Sequence, residues 1–303
     1  MNQTERTEEI INQLTALENR KYKKAEYLPE MLRLQSQMAD VAFDVTNSEA
    51  RIWDIYDHLN QLNTERGNIA DEELARFKED CKILDNRIKA EMSGDRGENL
   101  TYQSLEKIKS ESMILRNVEL EIDGVRTEID FIVFSKKAIF IIEVKNSKRD
   151  IFISDEGDYY RYGRFMRLDC NIREKMKQRE SFVTRILNDA GFLRTNIVSL
   201  LVFTDNRIEV ENNCKEIDTT FLSQLPYKID RYNGWNMFTE DCIDEMVCAI
   251  NNTALIGEYT FDTDTDILKR DFAELMTALE PEDKKTHGLI EKIKAMFGTK
   301  DAA

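Results

Sequence analysis

Residues 128–145 read EIDFIVFSKKAIFIIEVK and contain the two apolar runs that decide the fold. The first run belongs to a strand predicted over Thr127–Phe134, and the second to a strand over Ala138–Val144 that is almost wholly apolar. Such a strand is typical of a sheet interior, where both faces are buried. Upstream, Ile114–Ile122 alternates like a strand, and Asp123-Gly124 is the turn signal of a β-hairpin. The sequence therefore predicts three consecutive strands.

Three charged side chains lie on these strands. Side chains alternate across a strand, so Glu143 and Lys145 project from one face at the end of the third strand. Pairing with the preceding strand would bring Asp130 close to Glu143. Neighbouring carboxylates repel each other unless a cation lies between them, and their oxygens suit Mg²⁺ or Mn²⁺. Lys145 would orient or deprotonate water, or neutralise a phosphate, whereas the alternative is an ordinary salt bridge between Glu143 and Lys145.

Helices are predicted on both sides of the three strands. Residues 98–110 read as a helix, Asn171–Asn188 as a second helix, and Asn196–Phe203 as a further apolar strand. The order of elements is then helix, three strands, helix, strand. This order predicts an α/β fold.

Several of these stretches resemble the nuclease-related domain, NERD, of the PD-(D/E)xK nuclease superfamily. They are Gly97-Glu98 opening a helix, residues 128–133, residues 139–146, a later helix carrying Asn171 and Gln178, and a strand ending Val202-Phe203. The resemblance implies a restriction-endonuclease-like α/β core and a divalent metal. It also implies an enzyme, a nuclease that hydrolyses phosphodiester bonds.

The resemblance also implies roles for individual residues. Its catalytic set would be Asp130, Glu143, Lys145, Glu98 and Gln178. Asp130, Glu143 and Glu98 would be the acidic residues around Mg²⁺ or Mn²⁺, Lys145 the catalytic lysine, and Gln178 a supporting polar residue. One departure weakens the role of Gln178, because the family usually has Asn-Pro before that glutamine and here Ile172 follows Asn171.

A basic segment follows the acidic cluster. Its predicted nucleic-acid-binding residues are Arg164, Arg167, Arg173, Lys175, Lys177 and Arg179. Basic side chains bind phosphates, and the tyrosines interleaved here could stack on bases. Although the chain carries a net charge of −15, residues 97–237 hold 22 basic and 23 acidic residues and are nearly neutral. The alternative is a solvated strand and helix face with no ligand.

The N-terminal third is predicted to be a helical coiled coil. Apolar residues recur at alternating three- and four-residue spacing from Met31 to Leu62, and a second stripe runs from Leu74 to Ile88 beyond a turn at 63–68. The stripes could pair within one chain or between subunits. The first would span roughly 45–50 Å at ~1.5 Å per residue, more than the second can cover. We therefore predict a homo-oligomer; the alternative is a monomeric bundle completed by residues 1–25 or 239–297.

The predicted domain division has three parts. Residues 1–95 form the coiled coil, residues 96–237 the nuclease-like domain, and residues 238–303 a C-terminal helical region. Helices in this last region are predicted near 239–252, 264–279 and 286–297.

Composition excludes several other classes of protein. No apolar run is long enough to cross a bilayer, and the polar, acidic N-terminus is unlike a signal peptide, so no membrane partner is predicted. The five cysteines lack the spacing of a metal site and indicate reduced thiols in the cytoplasm. Only two histidines are present, which argues against a histidine-rich zinc site.

Together these observations predict Mg²⁺-dependent hydrolysis of nucleic acid. The favoured substrate is DNA, cut by an endonuclease, with a role in DNA processing or anti-phage defence that only the resemblance implies. Two alternatives stay open. One is a catalytically silent nuclease fold that binds DNA or a protein partner, and the other is an RNase.

Overall fold

The computed structural model describes residues 21–22, 27–44, 49–67, 69–162, 167–254, 259–260 and 263–279. The chain divides into two compact units. The first takes its described residues from 1–92 and 257–303, and the second spans residues 93–256. The helix predicted near 286–297 lies outside the described residues. Of residues 1–25, which were one alternative for completing a monomeric bundle, only Lys21 and Tyr22 are described, and they form a short strand.

The described elements form the following series along the chain. The helices are α1 (Tyr27–Phe43), α2 (Ile52–Arg66), α3 (Asp71–Leu105), α4 (Ile172–Asp189), α5 (Leu225–Asp230), α6 (Glu240–Thr253) and α7 (Thr263–Leu279). The strands are β1 (Lys21–Tyr22), β2 (Ser112–Ile122), β3 (Val125–Ser135), β4 (Ile139–Lys145), β5 (Ile151–Ile153), β6 (Asp158–Arg161), β7 (Arg167–Asn171), β8 (Ile197–Phe203), β9 (Val210–Asn212), β10 (Asp218–Phe221) and β11 (Tyr259–Thr260).

Helices α1, α2 and α7 and the first part of α3 form the core of the first unit. The predicted stripe residues from Met31 to Leu59 are buried wherever they are described, in one apolar cluster with the second stripe of α3. The same cluster contains Leu268, Phe272 and Leu275 of α7. The stripe is therefore covered within the chain, so the argument that a second subunit must cover it is wrong. The homo-oligomer itself stays a prediction without that support.

An acidic pair lies in this unit, between Asp80 of α3, which is half-buried, and Asp271 of α7, which is buried. Burial, the charge of Asp271 and a hydrogen bond shared with it raise the pKa of Asp80 to about 6. Arg270 and Arg76 oppose this shift. Glu274, one turn along α7, also has a raised pKa, caused by burial and by the charge of Asp271. Ionising Asp80 at neutral pH therefore destabilises the first unit.

We expect Asp80→Asn to raise the free energy of unfolding at pH 8 by up to about 2 kcal/mol, and the melting temperature with it. The folded pKa of Asp80 lies above its unfolded value, so stability is lost as pH rises from about 4 to about 6. The advantage of the variant should consequently shrink as pH falls to 4. Thermal unfolding followed by circular dichroism between pH 4 and pH 8 measures this dependence.

Asp85 provides the matched control on the same helix. Burial alone would raise its pKa, but hydrogen bonds from Lys89 and Trp53 lower it overall. Asp85→Asn should therefore lower the melting temperature at pH 8. If Asp80→Asn destabilised the protein at pH 8 as Asp85→Asn does, the proposed effect of the acidic pair would be refuted.

The second unit contains a five-stranded sheet in the order β10-β8-β4-β3-β2. Strands β2, β3 and β4 are antiparallel neighbours, whereas β4, β8 and β10 run parallel. Asp123 and Gly124 join β2 to β3 with φ angles of 52° and 77°, the left-handed geometry that a two-residue hairpin turn requires. The mixed α/β class predicted from the sequence is confirmed.

A four-stranded sheet in the order β7-β6-β5-β9 lies in the same unit. Three of its strands fall between β4 and α4, where no strand was predicted from the sequence. The prediction missed them because strands of three to five residues are too short to show clear alternation.

The larger sheet has two apolar faces. Ile132, Ile141 and Leu201 lie on the face covered by α4 and α6, and Phe131 and Phe140 lie on the face that packs against the end of α3 and against α5. Helix α6 thus belongs with the sheet, since Ile243, Met246 and Ile250 share the first of these cores. The predicted boundary at residue 237 is therefore displaced, because α6 packs with the second unit and α7 with the first.

Two further observations bear on the sequence predictions. Within the described ranges, no helix combines the length and the apolar character needed to cross a membrane. All five cysteines are described, and each is a free thiol.

Candidate active site

The sheet register brings Asp130 and Glu143 together. The β3–β4 ladder ends at the pair Phe131 and Ile142, so Asp130 stands opposite Glu143 one step beyond it. Just beyond the ladder, the Asp130 side chain accepts a backbone hydrogen bond: the N–H of Val144 donates to Asp130 Oδ2 at 2.7 Å. Both carboxylates and Lys145 lie on the sheet face covered by α4. This is the proximity that the sequence predicted.

Strand β2 departs from regular geometry directly opposite Asp130. Asn117 has a φ of 52°, in the left-handed region that side chains other than glycine rarely adopt. The β2–β3 pairing skips this position, with partners at Arg116–Phe131 and again at Val118–Ile129. Strained backbone of this kind often accompanies functional sites, and here it adjoins a candidate catalytic carboxylate.

Glu143 is buried, with 2% of its surface exposed, and three cations surround its carboxylate. Lys145 Nζ and Lys175 Nζ lie 2.8 and 2.9 Å from Oε1, and the guanidinium of Arg179 donates to Oε2. Burial alone would raise the pKa of Glu143, but the charges of these three side chains hold it well below the usual range for a glutamate. Glu143 is therefore ionised throughout the physiological pH range.

The pKa of Asp130 is shifted in the opposite direction. Burial and the neighbouring charge of Glu143 raise the pKa of Asp130 to about 7, despite the opposing charge of Arg179. The nearer guanidinium nitrogen of Arg179 is 3.9 Å from Asp130 Oδ1, too far for a hydrogen bond. Asp130 is thus the carboxylate of the pair that an additional cation would stabilise most.

Lys145 is fixed by two contacts at the end of β4. Its ammonium binds Glu143 and lies 5.5 Å from the ring centre of Tyr159. The charge of Glu143 raises the pKa of Lys145, outweighing the opposing effect of burial. Lys145 is therefore a charged group, suited to neutralising a phosphate rather than to removing a proton from water. The Tyr159 ring is itself buried and cannot stack on a nucleic-acid base.

Helix α3 packs closely against the end of β4. Gly97 lies inside this helix, so the prediction that Gly97-Glu98 opens a helix is wrong. A Cβ atom at Gly97 would lie 2.8 Å from Cβ of Asn146, and only glycine permits this approach. The Asn146 amide donates to the carbonyl oxygen of Ser93 at 2.8 Å and accepts from the hydroxyl of Thr204 at 2.6 Å. These bonds fix the backbone immediately after Lys145.

Glu98 lies close enough to Asp130 for its charge to contribute to the raised pKa of that carboxyl. It forms an ion pair with Arg116 at 3.6 Å, and the Arg116 guanidinium lies 6.0 Å from the ring centres of Tyr102 and Phe131. Phe131 lies on the sheet face opposite to Asp130. In the described part of the chain, no three His, Cys, Asp or Glu side chains are grouped to hold a metal. The structure thus brings together Asp130 and Glu143, and the ligand role of Glu98 stays a prediction.

The structure assigns the helix-borne polar partners differently from the sequence. Among the described residues, Lys175 and Arg179 are the α4 side chains that contact Glu143, and Gln178 is not one of them. Arg179 occupies one position of the buried stripe Ile172, Met176, Arg179, Val183 and Ile186. A cation within an apolar stripe was the available signal, because a buried arginine needs a buried acidic partner.

The predicted basic surface is only partly assembled. Lys175 and Arg179 turn toward Glu143, whereas Arg173 and Lys177 form ion pairs with Glu216. Arg164 and the side chain of Arg167 lie outside the described part of the chain. The described cations therefore form two groups, one inside the site and one on the neighbouring surface of α4.

The donor set fits a divalent metal such as Mg²⁺ or Mn²⁺. These ions prefer oxygen ligands and are commonly bound through one or two carboxylates, with waters completing the coordination. Asp130 and Glu143 supply such a pair on one sheet face, where burial and the charge of Glu143 together raise the pKa of Asp130. Glu143 is shared with Lys175 and Arg179, so a metal would have to compete with these two side chains.

Residues 93–204 match the NERD family, described as a nuclease-related domain. This range includes Glu98, Asp130, Glu143, Lys145 and the whole of α4, and it confirms the predicted resemblance for this part of the chain. Comparison with curated proteins gives no match, and neither does comparison with solved structures. The match indicates a nuclease-related function for the second unit.

Proposed function

We propose that the second unit hydrolyses phosphodiester bonds in nucleic acid with Mg²⁺ or Mn²⁺, and that its substrate is DNA, cut endonucleolytically. The observation that carries this proposal is the grouping of Asp130, Glu143 and Lys145 on one sheet face, inside the region that matches a nuclease-related domain. A role in DNA processing or anti-phage defence, and a cytoplasmic location consistent with the free cysteines, belong to the same proposal.

The chemistry divides among three residues. Asp130 and Glu143 would hold the metal, which when bound supplies Lewis-acid stabilisation of charge on the phosphate and lowers the pKa of water. Lys145 keeps its positive charge beside Glu143 and would neutralise charge that develops on the phosphate during attack. The bond from Val144 N–H fixes one oxygen of Asp130 and leaves the other available.

We expect the exposed cations of α4 to bind the nucleic-acid backbone. Lys177, and Arg173 to a lesser degree, are accessible, and a phosphate would compete with Glu216 for them. Arg173→Glu combined with Lys177→Glu should weaken DNA binding and flatten the log–log salt dependence by about two units, since each lost phosphate contact contributes roughly one. Fluorescence anisotropy with a labelled duplex in EDTA measures binding without cleavage.

The matched control for this experiment is Arg185→Glu with Arg194→Glu. Arg185 lies near the other end of α4, where it pairs with Asp123, and Arg194 is exposed before β8. The control changes net charge equally but should leave the salt dependence at its wild-type value. If both double variants changed affinity by the same amount, a binding surface around Arg173 and Lys177 would be ruled out.

A catalytically silent fold that binds DNA or a protein partner is the second candidate. It is favoured by one observation, that the cations of the protein already contact both carboxylate oxygens of Glu143. Incubation with plasmid, single-stranded DNA and RNA in Mg²⁺, Mn²⁺ or EDTA distinguishes the candidates. The proposal expects metal-dependent cleavage of plasmid, cleavage of RNA alone would indicate an RNase, and binding without cleavage would favour the silent fold.

A further inference from the structure

Arg179 is the most deeply buried cation of the candidate site. Only 1% of its surface is exposed, and the other buried residues of α4 are all apolar. Its guanidinium donates to Glu143, lies 3.9 Å from Asp130, and has an Nε atom that is buried with no hydrogen-bond partner among the described residues. A buried charge is tolerated only when an opposite charge compensates it. Arg179 and the two carboxylates thus depend on each other.

Lys175 contacts the same carboxylate in a different setting. Its side chain is 40% exposed, so solvent screens its interaction with Glu143. Lys145, Lys175 and Arg179 all contact Glu143, so the site holds three cations and two carboxylates. The negative charge that would attract a divalent metal is therefore already neutralised by the protein.

We propose that Arg179 is a resident counter-cation and positioning residue. It holds Glu143 and Asp130 in place without a metal, and it competes with Mg²⁺ for Glu143 Oε2. The metal affinity of the site is consequently low, and occupancy follows the free Mg²⁺ concentration. The competition rests on the proposed function, which assigns metal binding to these carboxylates, whereas the stabilising role of Arg179 does not.

The test compares Arg179→Met with wild type in two measurements that require no cleavage. In EDTA, Arg179→Met should melt about 10 °C lower, because it leaves Glu143 with fewer counter-charges in a buried setting. In a titration with Mn²⁺ followed by electron paramagnetic resonance, the same variant should bind Mn²⁺ about tenfold more tightly, since a positive charge close to the metal is removed. Lys175→Met is the matched control and should shift the melting temperature by no more than about 2 °C.

A double variant covers the case in which Arg179→Met does not fold. Glu143→Gln with Arg179→Met removes both buried charges and should fold, with a melting temperature above that expected from adding the two single effects. Arg179→Lys keeps the charge and should bind Mn²⁺ with nearly wild-type affinity. These results would support the resident counter-cation.

Three results would overturn the inference. They are a melting temperature of Arg179→Met within about 2 °C of wild type in EDTA, unchanged Mn²⁺ affinity in that variant, and strictly additive effects in the double variant. A wild-type protein that binds Mn²⁺ but cuts no nucleic acid would instead overturn the proposed function alone.

Discussion

Glu143→Gln and Lys145→Met are each expected to reduce Mg²⁺-dependent DNA cleavage by at least about 100-fold while the protein remains folded. Glu143→Gln keeps the shape of the side chain but removes the charge that would hold the metal. Lys145→Met keeps an aliphatic side chain but removes the ammonium, which lies 2.8 Å from Glu143 and 5.5 Å from the ring centre of Tyr159. Initial rates of nicking of a supercoiled plasmid measure the loss, and circular dichroism verifies the fold.

The controls for this experiment repeat each chemical change at a surface ion pair. Glu121→Gln removes a carboxylate that pairs with Arg126 on the β2–β3 hairpin, and Lys228→Met removes an ammonium that pairs with Asp218. Both should cleave at the wild-type rate. Cleavage by Lys145→Met at the rate of Lys228→Met would refute the catalytic role of Lys145.

Asp130→Asn is expected to abolish cleavage and yet to stabilise the metal-free protein. At pH 8 in EDTA we expect its melting temperature to exceed that of wild type by roughly 5 °C. The variant removes a carboxylate whose pKa burial and Glu143 raise to about 7, while its amide oxygen can still accept the bond from Val144. Removing a repulsive charge from a functional site commonly raises stability and reduces activity.

The stabilisation by Asp130→Asn should depend on pH and on metal, which distinguishes it from a general gain in stability. The folded pKa of Asp130 lies above its unfolded value, so wild-type stability falls as pH rises from about 4 to about 7, and the melting temperatures of the two proteins should converge as pH falls to about 4. Mg²⁺ should raise the melting temperature of wild type but not of Asp130→Asn.

Comparison of Asp130→Ala with Asp130→Asn separates the effect of the charge from that of the hydrogen bond. Asp130→Ala loses both, whereas Asp130→Asn loses only the charge. It should therefore melt below Asp130→Asn at pH 8. A wild-type protein more stable than Asp130→Asn in EDTA at that pH would contradict the account of two mutually repelling carboxylates.

The central strands and their faces could be predicted because they depend on local periodicity. Alternation along β3 and β4 places Asp130, Glu143 and Lys145 on one face, and it requires no knowledge of the rest of the chain. The turn at Asp123-Gly124 could also be predicted from the sequence, since the left-handed backbone of a two-residue hairpin favours these residue types.

Contacts between distant segments could not be predicted in the same way. Arg179 reaches Glu143 across 36 positions of sequence, and its charge alone suggested an exposed phosphate-binding role. The segment that covers the stripe from Met31 to Leu59 could not be predicted from the sequence either. Its spacing shows that one helix face is buried, but not that α7 of the same chain helps to cover it.

The most direct test of the central claim is the rate of plasmid nicking by the wild-type protein as free Mg²⁺ is titrated. We expect no cleavage in EDTA, a rate that rises to saturation with Mg²⁺, and full recovery when Mg²⁺ is restored after chelation. A nicking rate that is equal in EDTA and in saturating Mg²⁺ would contradict a metal-dependent centre built on Asp130, Glu143 and Lys145.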